Sequence, residues 1–488
     1  MKSRKFIATI LLVATISVFS GGCVRKEKPQ IKKTTKVELV YYKLFDDEDS
    51  IVPLIQQYRS KYPNVNIKYR KFVDPIEYEN LILNQLAEGE GPDIFSMPNH
   101  WFLRNIKKLS PMPVKIMSPK QFEQTFVDVA SNDLLLDDPF DSERKVFGLP
   151  LSVDTLALYY NKAFFEDKIP ARGRPATTWE VLNDDISKLN KTDNSFERFE
   201  VAGIAMGRSD NISRALDMLY TLMLQYKARF YNENVSQATF ASQQELSDVG
   251  TFSNPASSAL RLYTSYALPA NKNYSWNAYL ASSNSKTKEL ETFASGKVAM
   301  IFGYSYLYEQ LKAVLKDLKD KSAKTMDLKN IKISAMPQLK DPSVAKEKRV
   351  TYANYYAETV ARASKHSAEA WDFLLFLSSK ENMKFYNEKT HRPTSRRDMI
   401  EDQKKDPIYG VFAEQNGFAE SFPIYDAQRY NEIFTKMIDS VLATTPVEAA
   451  VKVAEESISA MLPKPGLLPL KTQKKTQQQP AGTGGVKR

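Results

Sequence analysis

The chain has 488 residues, 42% of them hydrophobic and 26% charged, with a formal net charge of +10 and a single cysteine. That length exceeds one small core and suits two units of roughly 200 residues each, and a lone cysteine excludes an internal disulfide. The positive charge sits at the ends: residues 1 to 22 carry +3, 24 to 36 carry +5 and 471 to 488 carry +5, leaving −3 for 37 to 470, which excludes nucleic acid as the main partner because phosphate binding needs basic residues clustered on the folded surface.

At the start, Lys2, Arg4 and Lys5 precede an apolar stretch from Phe6 to Phe19, which gives way to Ser20-Gly21-Gly22-Cys23. The stretch is shorter than the roughly 20 residues that span a bilayer, so residues 1–22 are expected to be a cleaved export signal. Cys23 at that junction resembles the lipobox of bacterial lipoproteins, with Ser20 where Leu is usual. The resemblance implies a diacylglycerol on the Cys23 thiol and a place on the outer face of the bacterial cytoplasmic membrane. Residues 23–36 then form a basic tether, whose lysines can add attraction to anionic headgroups. At the other end, 463–488 is expected to be a disordered tail.

Between the flanks, strand and helix signals alternate. Val37 to Tyr42 is β-rich, and Ile51, Leu54, Ile55 and Tyr58 then recur at helical spacing behind Ser50 as N-cap. Val65 to Phe72 is the next strand. Pro75 opens a helix with Tyr78, Leu81, Ile82 and Leu86 on one face; Gly89 and Gly91 stop it before a strand from Asp93 to Met97. Such alternation predicts a parallel α/β sheet with ligand beyond the carboxyl ends of its strands, at Lys43 to Asp47 and Met97 to Trp101. Farther on, Thr177-Thr178-Trp179-Glu180 has capping-box spacing ahead of a helix bearing Leu182, Ile186 and Leu189. Gly296-Lys297 breaks a helix before the strand Val298 to Phe302. Ala370, Phe373, Leu374 and Leu377 mark another helix. Thr445-Pro446-Val447-Glu448 combines N-cap, N1 proline and capping glutamate for a last helix ending near Met461.

Several of these stretches, in this order, resemble the family 1 extracellular solute-binding proteins of ABC importers, the maltose-binding-protein-like group. They are Gly89-Glu90-Gly91-Pro92-Asp93-Ile94, Phe147-Gly148-Leu149-Pro150 with Asp154 and Leu158-Tyr159-Tyr160-Asn161-Lys162, Thr178-Trp179-Glu180, Phe293-Ala294-Ser295-Gly296-Lys297-Val298-Ala299-Met300, and Ala370-Trp371-Asp372-Phe373-Leu374. The resemblance covers roughly 37 to 461. It implies an α/β, two-lobe periplasmic-binding-protein fold of type II that closes on ligand by a hinge. Crossings are implied near Pro150 to Asp154 and Tyr352 to Ala357. Lobe 1 would be 37–151 plus 357–405, and lobe 2 152–352 plus 406–462. The implied function is delivery of a sugar or oligosaccharide to ABC permease subunits, with a separate ATPase chain, since the phosphate-cradling G-x-x-x-x-G-K-[ST] pattern does not occur here. A monomer without cofactor is expected.

A sugar offers hydroxyls around a ring with apolar C–H faces, so its cleft combines carboxylates or amides with flat aromatics. The family places an acidic ligand contact where Asp154 stands and an aromatic platform where Tyr306 and Tyr304 stand. Asn99, His100 and Trp101 follow the third strand in a ligand-contacting loop. Further candidates are Asn354 and Tyr355 at the second crossing, Phe45, Asp46 and Asp47 after the first strand, and Tyr425, Tyr430 and Trp276, the last with core packing as its alternative. A sugar phosphate or other polar solute would need basic residues, for which Lys43, Arg396 and Arg397 are available. An enzyme is disfavoured. Gly303-Tyr304-Ser305-Tyr306-Leu307 lacks the final glycine of a nucleophile elbow, and no HExxH or CxxC cluster supplies a metal site. A receptor or adhesin lipoprotein on the same fold, or a glycosidase using two carboxylates, remain alternatives.

Overall fold

A computed structural model describes residues 36–193, 198–246, 251–341, 343 and 348–463. The export signal, Cys23, the tether up to residue 35 and the tail from 464 lie outside the described residues.

Val37–Leu44 pairs in parallel with Val65–Phe72 on one side and Ile94–Pro98 on the other. The helices Glu48–Lys61 and Pro75–Glu88 make the connections. The second helix begins and ends as its sequence requires. Asp74 accepts from the N–H groups of Ile76 and Glu77 (2.8 and 2.9 Å), Pro75 occupies the first turn, and Gly89 closes the helix at φ +76°, a conformation that costs glycine nothing. The first helix differs from expectation. Its N-cap is Asp47, and Ser50 lies inside the first turn, where its hydroxyl donates to the Asp47 carbonyl (2.7 Å).

The sheet runs Val65–Phe72, Val37–Leu44, Ile94–Pro98, Tyr356–Ala361, Leu109–Ser110. It is not all parallel as the alternation predicts. Tyr356–Ala361 lies antiparallel to both neighbours, with Tyr356 opposite Pro98. The cause is the chain path: this strand re-enters the sheet at the end from which the chain had left, so it must run backwards. A second, smaller sheet has Ala157–Asn161 between Met300–Gly303 and Ile331–Ser334, both antiparallel to it. Met300–Gly303 starts two residues later than the periodicity suggests, because Val298 at its entrance bridges Ala202 in parallel instead, with Ala202 N–H donating to the Lys297 carbonyl (2.9 Å) and Ala299 N–H to that of Ala202 (2.8 Å).

Between the two sheets the chain crosses at a narrow joint. Thr155 bridges Ala353 antiparallel; Leu156 N–H donates to the Tyr352 carbonyl (3.0 Å) and Asn354 N–H to that of Asp154 (3.1 Å). Thr351–Tyr352 also pairs in parallel with Ala419–Glu420. A core of edge-on aromatics underlies this joint: Tyr220 meets Tyr352 at 5.6 Å, Phe422 at 5.1 Å and Phe434 at 5.1 Å. Such geometry adds to the apolar burial itself.

Two expected capping boxes do not form. Trp179–Leu189 starts after Thr178 with no side-chain cap, because Thr178 is drawn into a parallel bridge with Gln338. Val447–Met461 starts after Pro446, which is therefore the N-cap and not N1; Glu448 turns outward to Arg261 (2.5 Å).

Candidate functional site

Beside the joint lies a cavity of about 340 Å³ whose walls come from both sides of the crossing. His100 follows a strand of the first sheet, Tyr352 and Asn354 belong to the crossing, and Arg214, Asp217 and Tyr220 belong to the helix Ala215–Gln225 and its N-cap. Arg214 connects this cavity to an aromatic pair. Its guanidinium donates to the Tyr306 hydroxyl and lies over the rings of Tyr304 and Tyr306, at 5.4 and 5.6 Å from their centroids. The two rings stack at 5.9 Å and 23°. Tyr304 is buried beneath, while Tyr306 is 40% exposed and offers an open face. A cation against an aromatic face is attracted by the ring quadrupole. Burial opposes the charge on Arg214, but Tyr306 and Asp217 raise its pKa on balance, so it stays a cation.

Asp154 stands at the crossing under this pair. Its carboxylate accepts from the Ser305 N–H (3.2 and 3.1 Å), the Ser305 hydroxyl (2.7 Å) and the Thr155 N–H (2.9 Å). Burial pushes its pKa up to about 6, against those hydrogen bonds, which favour the charged form. In this conformation its acceptors serve the protein, and it anchors the loop that carries Tyr304 and Tyr306.

A second aromatic pair lies at the end of Val37–Leu44. Phe45, at φ +71° and 42% exposed, meets the Tyr356 ring edge-on at 6.1 Å. Burial raises the Tyr356 hydroxyl to about 12, with Arg392 and Arg214 opposing and Glu79 adding to the rise. Asp46 is not part of an exposed acidic turn. It is 2% exposed, paired with Lys43 (3.1 Å) and Arg392 (2.7 Å), and accepts from the Tyr386 hydroxyl (2.7 Å). Asp47 is exposed and pairs with Lys71.

The remaining expected residues fall into two groups. His100 and Asn354 line the cavity; burial lowers the His100 pKa to about 4, so its imidazole is neutral, and its Nδ1 is buried without a partner. Asn99 and Tyr355 are consumed internally. Asn99 donates to Asp133 (2.9 Å), as does the Tyr355 hydroxyl (2.9 Å), and Tyr355 N–H donates back to the Asn99 side chain (3.3 Å). Trp101 is buried, edge-on to His100 at 6.2 Å. Tyr430 is buried with its hydroxyl on that of Tyr231 (2.7 Å), and Tyr425 is buried with its carbonyl bound by Arg104. Trp276 has no exposed surface and donates to Asn211 (2.9 Å), so core packing is its place here.

The three cations offered for an anionic solute are all engaged elsewhere: Lys43 with Asp46 and Glu358, Arg396 with Asp398 (2.9 Å), Arg397 with Asp128 (2.5 Å). The sequence reasoning missed Arg214, Asp217 and Tyr220. A signal was present for the first: an arginine directly ahead of the apolar run Met218 to Leu224 puts the wrong sign at the positive end of a helix dipole.

Comparison with known proteins agrees with this architecture. Residues 53–410 match the model of the bacterial extracellular solute-binding protein family, and the chain belongs to that family. The family is one of extracytoplasmic binding proteins and not of enzymes. Among solved structures, the sugar-binding protein MalE from Xanthomonas citri superposes with a TM-score of 0.68 at 14% identity, over 87% of this chain and 97% of that one. A solute-binding protein from Thermotoga lettingae bound with α-D-tagatose gives 0.60 at 20% identity, over 87% and 99%. These likenesses establish the two-lobe type II fold. A galactooligosaccharide-binding protein of Bacillus subtilis is 25% identical over 171 residues, which span 34% of this chain and only 38% of that protein. Among the described residues no helix is long and apolar enough to cross a membrane, and no cluster of metal-ligating side chains occurs.

Proposed function

We propose that the protein is a lipid-anchored, extracytoplasmic solute-binding protein that captures a sugar or oligosaccharide and hands it to the permease subunits of an ABC importer. In this reading the lobes are 37–151 plus 357–405 and 152–352 plus 406–462. They close by bending where Asp154–Leu156 runs beside Tyr352–Asn354. The observation that carries it is a polar cavity at the hinge, lined by His100, Arg214 and Asn354, with the aromatic pair Tyr304 and Tyr306 held under the Arg214 guanidinium. Flat aromatic faces suit the C–H surface of a sugar, and His100, Asn354 and Arg214 suit its hydroxyls. The ligands of the similar proteins, galactooligosaccharide and α-D-tagatose among them, are saccharides and support the same class. Cys23 carries the lipid, and the chain acts as a monomer.

The test is a thermal-shift screen of the full chain against galacto- and malto-oligosaccharides and monosaccharides, with amino acids and polyamines as controls. A ligand at a hundred times its Kd stabilises the folded state by about 2.7 kcal/mol, so a binding saccharide raises the melting temperature by several degrees. A response to amino acids or polyamines alone refutes the saccharide reading. For the anchor, Cys23→Ser is expected to shift the protein from the membrane fraction to the medium.

A further inference from the structure

Arg214 is the N-cap of the helix Ala215–Gln225 and makes no side-chain cap to it. The first N–H groups of a helix lack intrahelical partners and form its positive end, which Asp, Ser or Thr ordinarily caps. Here that end opens onto the hinge cavity, and Arg214, Ala215, Leu216 and Asp217 all line it. A guanidinium there adds positive charge to the positive end of the helix, which Asp217 in the first turn offsets in part. Three further observations agree. Lys288 lines the same cavity from a strained backbone, φ +38°, and among the described residues no carboxylate oxygen lies within 4 Å of its ammonium, Glu289 acting on it only at longer range. Tyr220, 2% exposed, lines the cavity with a hydroxyl that has no partner. His100 presents a buried, unpartnered Nδ1 there as well. An O–H, two cations and a row of N–H groups are donors, so the missing component is an acceptor.

The acids near the site do not supply it. Asp217 lies 3.6 Å from Arg214, and Glu289, which accepts from the N–H and hydroxyl of Ser213 (3.0, 2.9 and 3.1 Å), also favours the charge on Arg214, but neither acid bonds the Tyr220 hydroxyl. Of the charged side chains that line the cavity itself, two are cations, Arg214 and Lys288, and one is an acid, Asp217, with Glu289 buried behind Ser213.

We infer that the saccharide captured here is acidic, bearing a carboxylate of the uronic-acid type that seats against the N-terminus of Ala215–Gln225 between Arg214 and Lys288. A monoanion matches the one excess cation among the lining side chains, whereas a phosphate dianion would add a second negative charge beside Asp217 and Glu289. The inference rests on the saccharide reading and deepens it.

The test is calorimetry on the full chain with digalacturonate, the neutral galactobiose, and galactose 6-phosphate. Digalacturonate is expected to bind about tenfold or more tighter than galactobiose, as one charge-assisted hydrogen bond provides, with the advantage shrinking at high salt. Arg214→Gln is expected to cut that ratio to about threefold or less. Lys288→Gln tests the same point should the first variant fold poorly, and is expected to lower the ratio too. Galactobiose binding as tightly as digalacturonate, or galactose 6-phosphate binding better, overturns the carboxylate and leaves the saccharide reading standing. If neither the thermal-shift screen nor digalacturonate in the calorimeter gives a binding saccharide, both fall together.

Discussion

Asp154→Asn tests the electrostatics of the hinge, because a nearly isosteric amide replaces a carboxylate that is buried at the joint. In the folded protein burial holds the Asp154 pKa at about 6, against an ordinary value of 3.8. Between those two pH values the folded state keeps a proton that the unfolded state releases, so folding stability falls as pH rises through the window and is flat above it. At about 1.4 kcal/mol per tenfold change in proton affinity, the whole effect is about 3 kcal/mol, of which about 2 kcal/mol is lost between pH 4 and pH 7. The amide of the variant has no such proton to lose. Urea denaturation of both proteins at half-unit pH steps isolates the effect, since all other titrating groups cancel in the difference. The variant is expected to gain about 2 kcal/mol relative to the parent from pH 4 to pH 7. A difference that stays level, or one that moves toward the parent as pH rises, refutes the argument. It would mean that the Ser305 and Thr155 donors, not burial, set the proton affinity.

Asp154→Ala and Tyr306→Ala are each expected to weaken binding of the saccharide found by screening by about 1 kcal/mol or more, measured by calorimetry; unchanged affinity in both removes this assignment. Trp276→Phe should lower stability by about 1 kcal/mol through loss of the bond to Asn211 (2.9 Å), yet leave affinity unaltered because the ring has no exposed surface. Glu358→Gln leaves the buried Lys43 with Asp46 as its only carboxylate partner among the described residues; a cost of about 3 kcal/mol or more in denaturant titration is expected.

The first sheet was legible because its signals are local. Val65–Phe72 has the limits that its composition predicts, and Pro75 to Gly89 bounds a helix by proline, periodicity and glycine. Cap identities were less legible, since Thr178 and Glu448 each had a nonlocal partner, Gln338 and Arg261, competing for them. The site divides along the same line. Phe45, His100 and Tyr306 follow strands of the sheets, so fold topology places them at the joint. Whether Asn99 or Tyr355 can meet a ligand depends on Asp133, which accepts from both and lies far from either in sequence. Arg214 sits ahead of a helix, outside the strand-end rule, and only its conflict with the helix dipole gives it away.

The same logic accounts for the densest charge cluster in the first lobe, which contacts no open surface. Lys43, Asp46 and Glu358 are each at most 2% exposed, joined by Ser96, Tyr386 and Arg392. Buried ion pairs of this kind are a poor source of stability, because removing charges from water costs about as much as their attraction returns. Their effect here is positional. Asp46 is fixed from three sides by Lys43, Tyr386 and Arg392, and its carbonyl accepts from the Tyr69 hydroxyl (2.7 Å). Its neighbour Phe45 is thereby held at φ +71°, a conformation disfavoured for a bulky residue, with its ring edge against Tyr356. Relaxing Phe45 into the extended region would continue the strand and turn its side chain to the other face of the pleat. A network assembled from residues 43, 46, 96, 358, 386 and 392 thus holds the Phe45 ring against Tyr356.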